Sequence, residues 1–193
     1  MNASRNLKAF YESVSSSTFF WVNQPRPIGF GDSVLRAETF VGNNPFLCHA
    51  GDEYVRSQGD GHLKRMIDIF QTSHVDAIFL AQRVKNPRSY GVIEGVKVGE
   101  RLYEVRMVAE KPEKPKSDLT IIPLYVFSPL IFKTLRKVRP GAGGEYQLTD
   151  AIQGLIDRGS KVRALELGSS DLRLDMGTPE TYWEALRVSH GRL

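Results

Sequence analysis

Residues 61–84 read GHLKRMIDIFQTSHVDAIFLAQRV, a helical pattern that passes directly into the pattern of a strand. The first half repeats apolar side chains at helical spacing, namely Leu63, Met66, Ile67 and Phe70. This spacing predicts a helix over 61–72 with that face packed inward. The apolar run in the second half predicts a strand over 75–84. Helices and strands that alternate in this way are typical of an α/β domain.

The alternation continues on both sides of this stretch. Before it, the pattern predicts an aromatic strand over 18–24, a short helix over 32–40 and a buried strand over 45–50. After it come a hairpin of 90–98 and 102–110, a strand over 119–127, helices over 130–138 and 148–159, strands over 162–167 and 171–175, and a last helix from Thr178 to about Ser189. No repeat or internal linker interrupts the pattern, so we expect residues 1–193 to form a single domain.

Composition excludes several classes of protein. Charged residues make up 25% and hydrophobic residues 41% of the 193 residues, so the chain is neither disordered nor low in complexity. Apolar runs such as Ala77–Ala81 fall short of the roughly 18 residues that a membrane span requires, and we expect a cytoplasmic protein without membrane association. The single cysteine, Cys48, cannot form an internal disulfide, which favours a reducing compartment.

The net charge of +4 leaves two interpretations of the basic residues open. The excess lies mostly in residues 101–150, where nine basic residues accompany six acidic ones. A pocket for phosphates and a nucleic-acid stripe both fit such a window. No stripe of aromatic and basic residues accompanies it, so we expect no nucleic-acid partner.

Two acidic residues follow predicted strands. Asp52 comes after the strand over 45–50 and a glycine, and Asp175 ends the strand over 171–175 just before a helix start. In an open parallel sheet, ligands bind beyond the carboxyl ends of the strands. Two carboxylates that converge there would suit Mg²⁺, which completes its shell with water and substrate phosphates. The alternative is that each aspartate caps a turn.

Two further segments carry polar groups beside turns. The second hairpin arm alternates Tyr103, Val105, Met107 and Ala109 with the polar residues Glu104, Arg106 and Glu110. At its end, Lys111 is placed to reach a phosphate while Glu110 points to the other face, although a solvated loop explains the same residues. Gln24 to Gly31 joins an amide side chain to glycines, which suits the edge of a planar base, and a plain turn explains it equally.

Several other polar and aromatic residues are expected to be structural. His49 lies among apolar neighbours in a predicted strand, which indicates a packed core histidine. A basic cluster is the solvated face of the helix over 130–138, and it comprises Lys133, Arg136, Lys137 and Arg139. Tyr182 and Trp183 are expected to pack beneath the last helix.

Six short motifs occur in a fixed order between about residues 20 and 188. They are Gln24-Pro25 with Gly29, Phe46 with Gly51-Asp52, Tyr90-Gly91-Val92, Glu110-Lys111-Pro112, Gly144-Glu145-Tyr-Gln-Leu-Thr-Asp150 and Asp175-Met176-Gly177. Single motifs of this kind are common by chance, but the ordered set resembles the sugar-1-phosphate nucleotidyltransferases. Within that family, the chain is most similar to the microbial glucose-1-phosphate uridylyltransferases.

The resemblance implies a fold and a reaction. The fold would be a Rossmann-like α/β sheet with helices on both faces. The reaction would be nucleotide-sugar biosynthesis, in which the oxygen of a sugar 1-phosphate displaces pyrophosphate from a nucleoside triphosphate. By this resemblance, UTP and glucose 1-phosphate would be the favoured substrates. Such a transfer depends on positioning and charge neutralisation more than on covalent chemistry.

The resemblance also implies a role for each motif residue. Gln24 and Gly29 would contact the nucleobase. Asp52 and Asp175 would hold the catalytic Mg²⁺. The sugar side would be formed by Gly91 and Glu110, which line the pocket, and by Lys111, which binds the sugar phosphate.

The glycine-rich opening of the family, Gly-x-Gly-Thr-Arg, has no match in this sequence. We therefore expect a domain that lacks the family's first strand–loop–helix unit, is less stable than its length suggests and does not turn over at a useful rate by itself. The alternative is a non-catalytic subunit that binds nucleotide-sugar or a partner protein. Homo-oligomer formation stays open.

Overall fold

The computed structural model describes residues 3–58 and 61–190, which form a mixed α/β structure. The strands are β1 Phe46–His49, β2 Glu53–Arg56, β3 Ala77–Arg83, β4 Gly91–Gly99, β5 Leu102–Glu110, β6 Leu119–Phe127, β7 Val162–Glu166 and β8 Leu172–Asp175. The helices are α1 Ala3–Ser15, α2 Phe30–Arg36, α3 Glu38–Val41, α4 Gly61–Thr72, α5 Leu130–Leu135, α6 Leu148–Ile156 and α7 Pro179–His190. No helix in this part of the chain is both long and apolar enough to cross a membrane.

The main sheet has six strands in the order β1-β6-β3-β7-β5-β4, and β2 and β8 form a separate two-stranded sheet. Among the described strands, only β3 and β7 pair in parallel, so the rule for open parallel sheets does not explain the placement of Asp52 and Asp175. A short turn at Glu100 and Arg101 joins β4 to β5 and permits only antiparallel pairing of those two strands.

Helices cover both faces of the main sheet, as the α/β interpretation predicts. Successive residues of β3 alternate between two cores, with Phe79 in one and Ile78 in the other. The first core lies under α2, α5 and α6, and the second lies under α4, where Met66 is fully buried. Ile67 was expected on the same inward face, but it is exposed. It lies one residue beyond Met66 and is therefore rotated by about 100° around the helix.

The strand expected to be buried over 45–50 is instead an edge strand. β1 pairs with β6 on one side, and its residues alternate between half-buried and exposed. His49 is exposed, so the interpretation of a packed core histidine is wrong. The apolar sequence of β1 reflects its inward residues, since Phe46 stacks on Phe132 with ring centroids 5.2 Å apart.

The aromatic segment over 18–24 forms no strand. Trp21 is 90% exposed, and Phe20 is also exposed, with its ring centroid 5.4 Å from that of Phe40. The expectation for α7 is also wrong, because Tyr182 and Trp183 are exposed while Ala185 is the buried residue of that helix. High β-propensity and aromatic character do not supply a partner strand or a covering face.

Candidate active site

Asp52 and Asp175 approach each other across the two-stranded sheet. Antiparallel pairing places Glu53 opposite Asp175, and the Met176 N–H donates to the Asp52 carbonyl at 2.7 Å. A Cβ atom built on Gly177 would lie 3.1 Å from Asp175 Oδ1 and 3.5 Å from Asp52 Oδ2. Both carboxylates therefore reach the same point, although an antiparallel ladder rather than a parallel sheet brings them there. Asp175 Oδ1 also accepts the Gly177 N–H at 2.8 Å, the turn-capping bond of the simpler alternative.

A bulge in β5 determines where Glu110 points. Gly91 pairs with Glu110 at one end of the hairpin, but Arg106 is an extra residue in the ladder further along. The regular alternation predicted for this arm breaks there, so that Met107 is exposed and Val108 is buried. Glu110 consequently faces the same side as Val108.

Lys111 leaves β5 in the left-handed region, with φ of 43°, and its N–H donates to the Tyr90 carbonyl at 3.0 Å. This turn brings its ammonium group back to 3.8 Å from Glu110 Oε1. The expectation that Glu110 and Lys111 occupy opposite faces is wrong, because the left-handed turn at Lys111 brings its side chain back to the side of Glu110.

The structure gathers five of the seven predicted site residues around one cleft of about 390 Å³. These are Asp52, Gly91, Glu110, Lys111 and Asp175. Four separate segments of the chain contribute them, and the open side of the cleft leaves the Lys111 side chain 57% exposed. The cleft therefore combines carboxylates and an ammonium group with access from solvent.

Gln24 and Gly29 lie outside the described lining of this cleft, while Phe30 belongs to it. The Gln24 amide donates to Asp32 Oδ2 at 2.7 Å and to the Gly29 carbonyl at 3.1 Å, so it holds the start of α2. A Cβ on Gly29 would lie 2.6 Å from the Tyr146 backbone, and its φ of 114° also favours glycine. In this conformation Gln24 therefore stabilises the start of α2, and Gly29 permits the close approach of the Tyr146 backbone.

Residues 6–190 match the sequence model of the nucleotidyl transferase family. The chain belongs to the nucleotidyl transferase family. This agrees with the resemblance that the six ordered motifs indicate.

Individual members of the family show the same relationship. The chain is 40% identical over 157 residues to UTP–glucose-1-phosphate uridylyltransferase 2 of Streptococcus pyogenes serotype M3, covering 77% of this chain and 52% of the relative. It is 35% identical over 144 residues to glucose-1-phosphate thymidylyltransferase of Streptomyces griseus, covering 75% of this chain and 38% of that one. The chain thus spans about half the length, or less, of these curated relatives.

A solved structure of UDP-glucose pyrophosphorylase complexed with UDP-glucose shares the fold. The two chains are 29% identical with a TM-score of 0.90, and the match covers 98% of this chain and 72% of the other. The mixed, mainly antiparallel sheet therefore belongs to a fold that this chain shares with the solved relative.

The cleft of the present chain also contains polar residues that the sequence analysis did not single out. Thr149 Oγ1 donates to Glu110 Oε2 at 2.6 Å, and its position inside the motif over 144–150 was the available signal. Glu53 and Arg173 form a buried ion pair beside the two aspartates. The sequence contains a weaker indication of these two residues. Glu53 is a charged residue next to Asp52, and Arg173 is a charged residue two positions before Asp175, but charged residues at such positions are equally typical of exposed strands.

Burial has opposing effects on this ion pair. It raises the pKa of the Glu53 carboxyl, while hydrogen bonds from Arg173 act in the other direction. Burial is the largest effect on Arg173 and disfavours its cation, but the hydrogen bond and charge of Glu53, together with Tyr90 and the charge of Asp175, leave the pKa of Arg173 raised. The pair is therefore costly to bury and held by good geometry.

Proposed function

We propose that this cleft transfers a uridylyl group from UTP to glucose 1-phosphate, which yields UDP-glucose and pyrophosphate. The observation that carries the proposal is the meeting of the five motif residues at one cleft. Both curated relatives are enzymes that act on glucose 1-phosphate, which favours that substrate, and the UDP-glucose complex of a similar fold favours uridine over thymidine.

The sugar phosphate is proposed to bind on the side formed by Gly91, Glu110 and Lys111. The Glu110 carboxylate, held by Thr149, is available to accept hydrogen bonds from sugar hydroxyl groups. Gly91 keeps this space open, because a Cβ there would lie 3.3 Å from Glu110 Oε2. The Lys111 ammonium would contact the phosphate as a compact charge.

The nucleotide is proposed to bind on the side formed by Asp52, Asp175 and the start of α2. Two converging carboxylates are a donor set that fits Mg²⁺, which takes one or two protein carboxylates and otherwise binds water and phosphates. Within residues 3–58 and 61–190, no group of three or more His, Cys, Asp or Glu side chains is arranged for a metal. When bound, Mg²⁺ supplies charge neutralisation to the phosphates. Gln24 and Gly29 are proposed to contact the base beside Phe30.

The chemical step requires little from the protein beyond alignment. An oxygen of glucose 1-phosphate forms a bond to the α-phosphorus of UTP while the bond to pyrophosphate breaks. Lys111 reduces the repulsion between the two anionic substrates, and Glu110 fixes the sugar so that its phosphate faces UTP. Holding both reactants in line lowers the entropic part of the barrier.

The proposal is tested by calorimetry, which measures the binding of UDP-glucose to residues 1–193 in the presence of Mg²⁺. Lys111→Ala removes the phosphate contact and should weaken binding about tenfold or more, whereas Lys97→Ala, on the exposed end of β4, should not. Absence of binding, or equal effects of the two variants, contradicts the proposed site.

Pyrophosphate release from UTP, glucose 1-phosphate and Mg²⁺ separates the enzyme from the alternative of a binding subunit. Release that Asp175→Asn abolishes supports catalysis by this cleft. UDP-glucose binding without release supports the non-catalytic alternative for residues 1–193.

A further inference from the structure

The Glu53–Arg173 ion pair occupies the junction between the segments that form the cleft. Arg173 Nε donates to Glu53 Oε2 at 2.8 Å, and Arg173 Nη2 donates to Glu53 Oε1. The two side chains are only 10% and 5% exposed. A buried pair of this kind contributes little net stability compared with apolar residues of the same volume. Its presence beside the cleft therefore requires another explanation.

The same guanidinium group contacts two more segments of the cleft. Arg173 Nη2 lies 3.4 Å from Asp175 Oδ2, on its own strand. Its central carbon lies 5.6 Å from the centroid of the Tyr90 ring, a cation–π distance. Tyr90 precedes Gly91, and its carbonyl accepts the Lys111 N–H. One cation thus links β8, which carries Asp175, and the start of β2, next to Asp52, to the turn that carries Lys111.

The backbone alone gives this region little rigidity. β2 and β8 are four residues each and form a sheet of only two strands. An isolated two-stranded ladder is marginally stable at best. Glu53 follows Asp52 directly, so fixing its carboxylate against Arg173 also fixes the position of the Asp52 backbone relative to Asp175.

We infer that Glu53 and Arg173 are positioning residues, which hold Asp52, Asp175 and the Tyr90–Lys111 contact in one arrangement. The inference rests on the proposed function for its consequence in metal and substrate binding. The arrangement itself is a property of this chain alone. It predicts that loosening the pair disturbs three segments that are far apart in sequence.

Arg173→Lys tests this inference, because lysine keeps the charge but cannot make the bidentate contact. Glu53→Gln is the second variant, since it keeps the size of the side chain. The Arg163–Glu104 pair, which also joins two strands and lies away from the cleft, supplies the matched control Arg163→Lys. Amide hydrogen exchange is measured at Met176, whose N–H binds the Asp52 carbonyl, and at Lys111.

Both cleft variants should accelerate exchange at Met176 and Lys111 relative to the average of the main sheet, and Arg163→Lys should not. Exchange that rises uniformly, or equally in the control, overturns the inference. A failure of Arg173→Lys to fold leaves Glu53→Gln to decide by the same criterion. This result does not depend on whether the chain binds UDP-glucose.

The expected consequence for metal affinity is tested by titration with Mn²⁺. The readout is the paramagnetic broadening of the Gly177 amide signal in the NMR spectrum. Partners that orient metal ligands typically change affinity by about 10- to 100-fold, and we expect a loss of that size in both cleft variants. Equal Mn²⁺ affinity in Arg173→Lys and the wild type contradicts the positioning role. No broadening at Gly177 in the wild type contradicts the metal assignment of the proposed function, while the exchange data still decide the inference.

Discussion

At the scale of single residues, Cys48 illustrates how strand position controls reactivity. It lies on β1 opposite Tyr125 and is a free thiol. Burial raises the pKa of the Cys48 thiol to about 12. The thiolate is the reactive form, so the neutral thiol of the folded chain is protected even though β1 is an edge strand.

Alkylation by iodoacetamide checks this protection. At pH 8, the folded chain should react on the order of a thousandfold more slowly than the urea-unfolded chain, because its thiolate fraction falls tenfold for each unit of pKa. Mass spectrometry of timed samples gives both rates. Similar rates in the folded and unfolded chain would show that the Cys48 thiol is accessible and ordinary.

Thr149 carries a second prediction at this scale, which rests on the proposed function. Its hydroxyl is buried and donates to Glu110 Oε2, and a hydrogen bond to a charged group contributes about 1.5–3 kcal/mol. Thr149→Val should therefore weaken UDP-glucose binding by about tenfold or more. Thr134→Val is the matched control, since Thr134 is equally buried but donates to the Ile131 carbonyl away from the cleft. Equal losses in the two variants would assign a general packing role to Thr149.

At the scale of elements, the start of α2 depends on one carboxylate. Asp32 accepts Arg36 Nε at 2.8 Å, one turn along the helix, and also the Gln24 amide. The bond from Arg36 lowers the pKa of Asp32, with burial acting in the opposite direction. An acidic residue in the first turn is also stabilised by the helix dipole.

Asp32→Asn should lower the free energy of unfolding by about 1 kcal/mol at pH 7. Because the pKa of Asp32 is lowered in the folded state, its contribution is complete above the unfolded-state pKa near 3.8 and disappears as the pH falls through the folded-state value. Urea unfolding at pH 7 and pH 3 should show the difference between wild type and variant shrinking in acid. A difference that is independent of pH contradicts the ionic role of Asp32.

Secondary-structure elements that are determined by their own sequence pattern could be predicted. Elements that depend on pairing with distant segments could not. β6 has the predicted bounds, 119–127, because a run of nine apolar and β-branched residues buried on both faces leaves few alternatives. The aromatic run over 18–24 has a comparable pattern but pairs with no strand among residues 3–58 and 61–190. Pairing is a property of distant segments, so periodicity alone does not reveal it.

The site shows the same limit. The ordered motifs predicted, through the family resemblance, that Asp52 and Asp175 converge, but the means by which they meet is the register of β2 and β8, which no local pattern indicates. The bulge at Arg106 reverses the face of Glu110, and its one trace in the sequence is the apolar run Met107-Val108-Ala109, which does not identify the extra residue.

At the scale of the whole molecule, apolar side chains are exposed at both ends of the described chain. One face of α1 presents Leu7, Phe10, Tyr11 and Val14 to solvent. Trp21 lies in the segment that follows, and Trp183 lies on α7. Contiguous apolar surface of this kind promotes association, so residues 1–193 should be studied across a range of concentrations.

The two tryptophans give a direct measure of this exposed surface. They are the only tryptophans among the 193 residues, and they are 90% and 69% exposed. Dilute samples should therefore emit close to free tryptophan in water, with strong acrylamide quenching and little change on unfolding. Trp21→Phe and Trp183→Phe assign the signal to each end of the chain. A blue-shifted emission that persists on dilution contradicts the exposure of that residue, whereas a blue shift that appears only at high concentration identifies the end through which the chains associate.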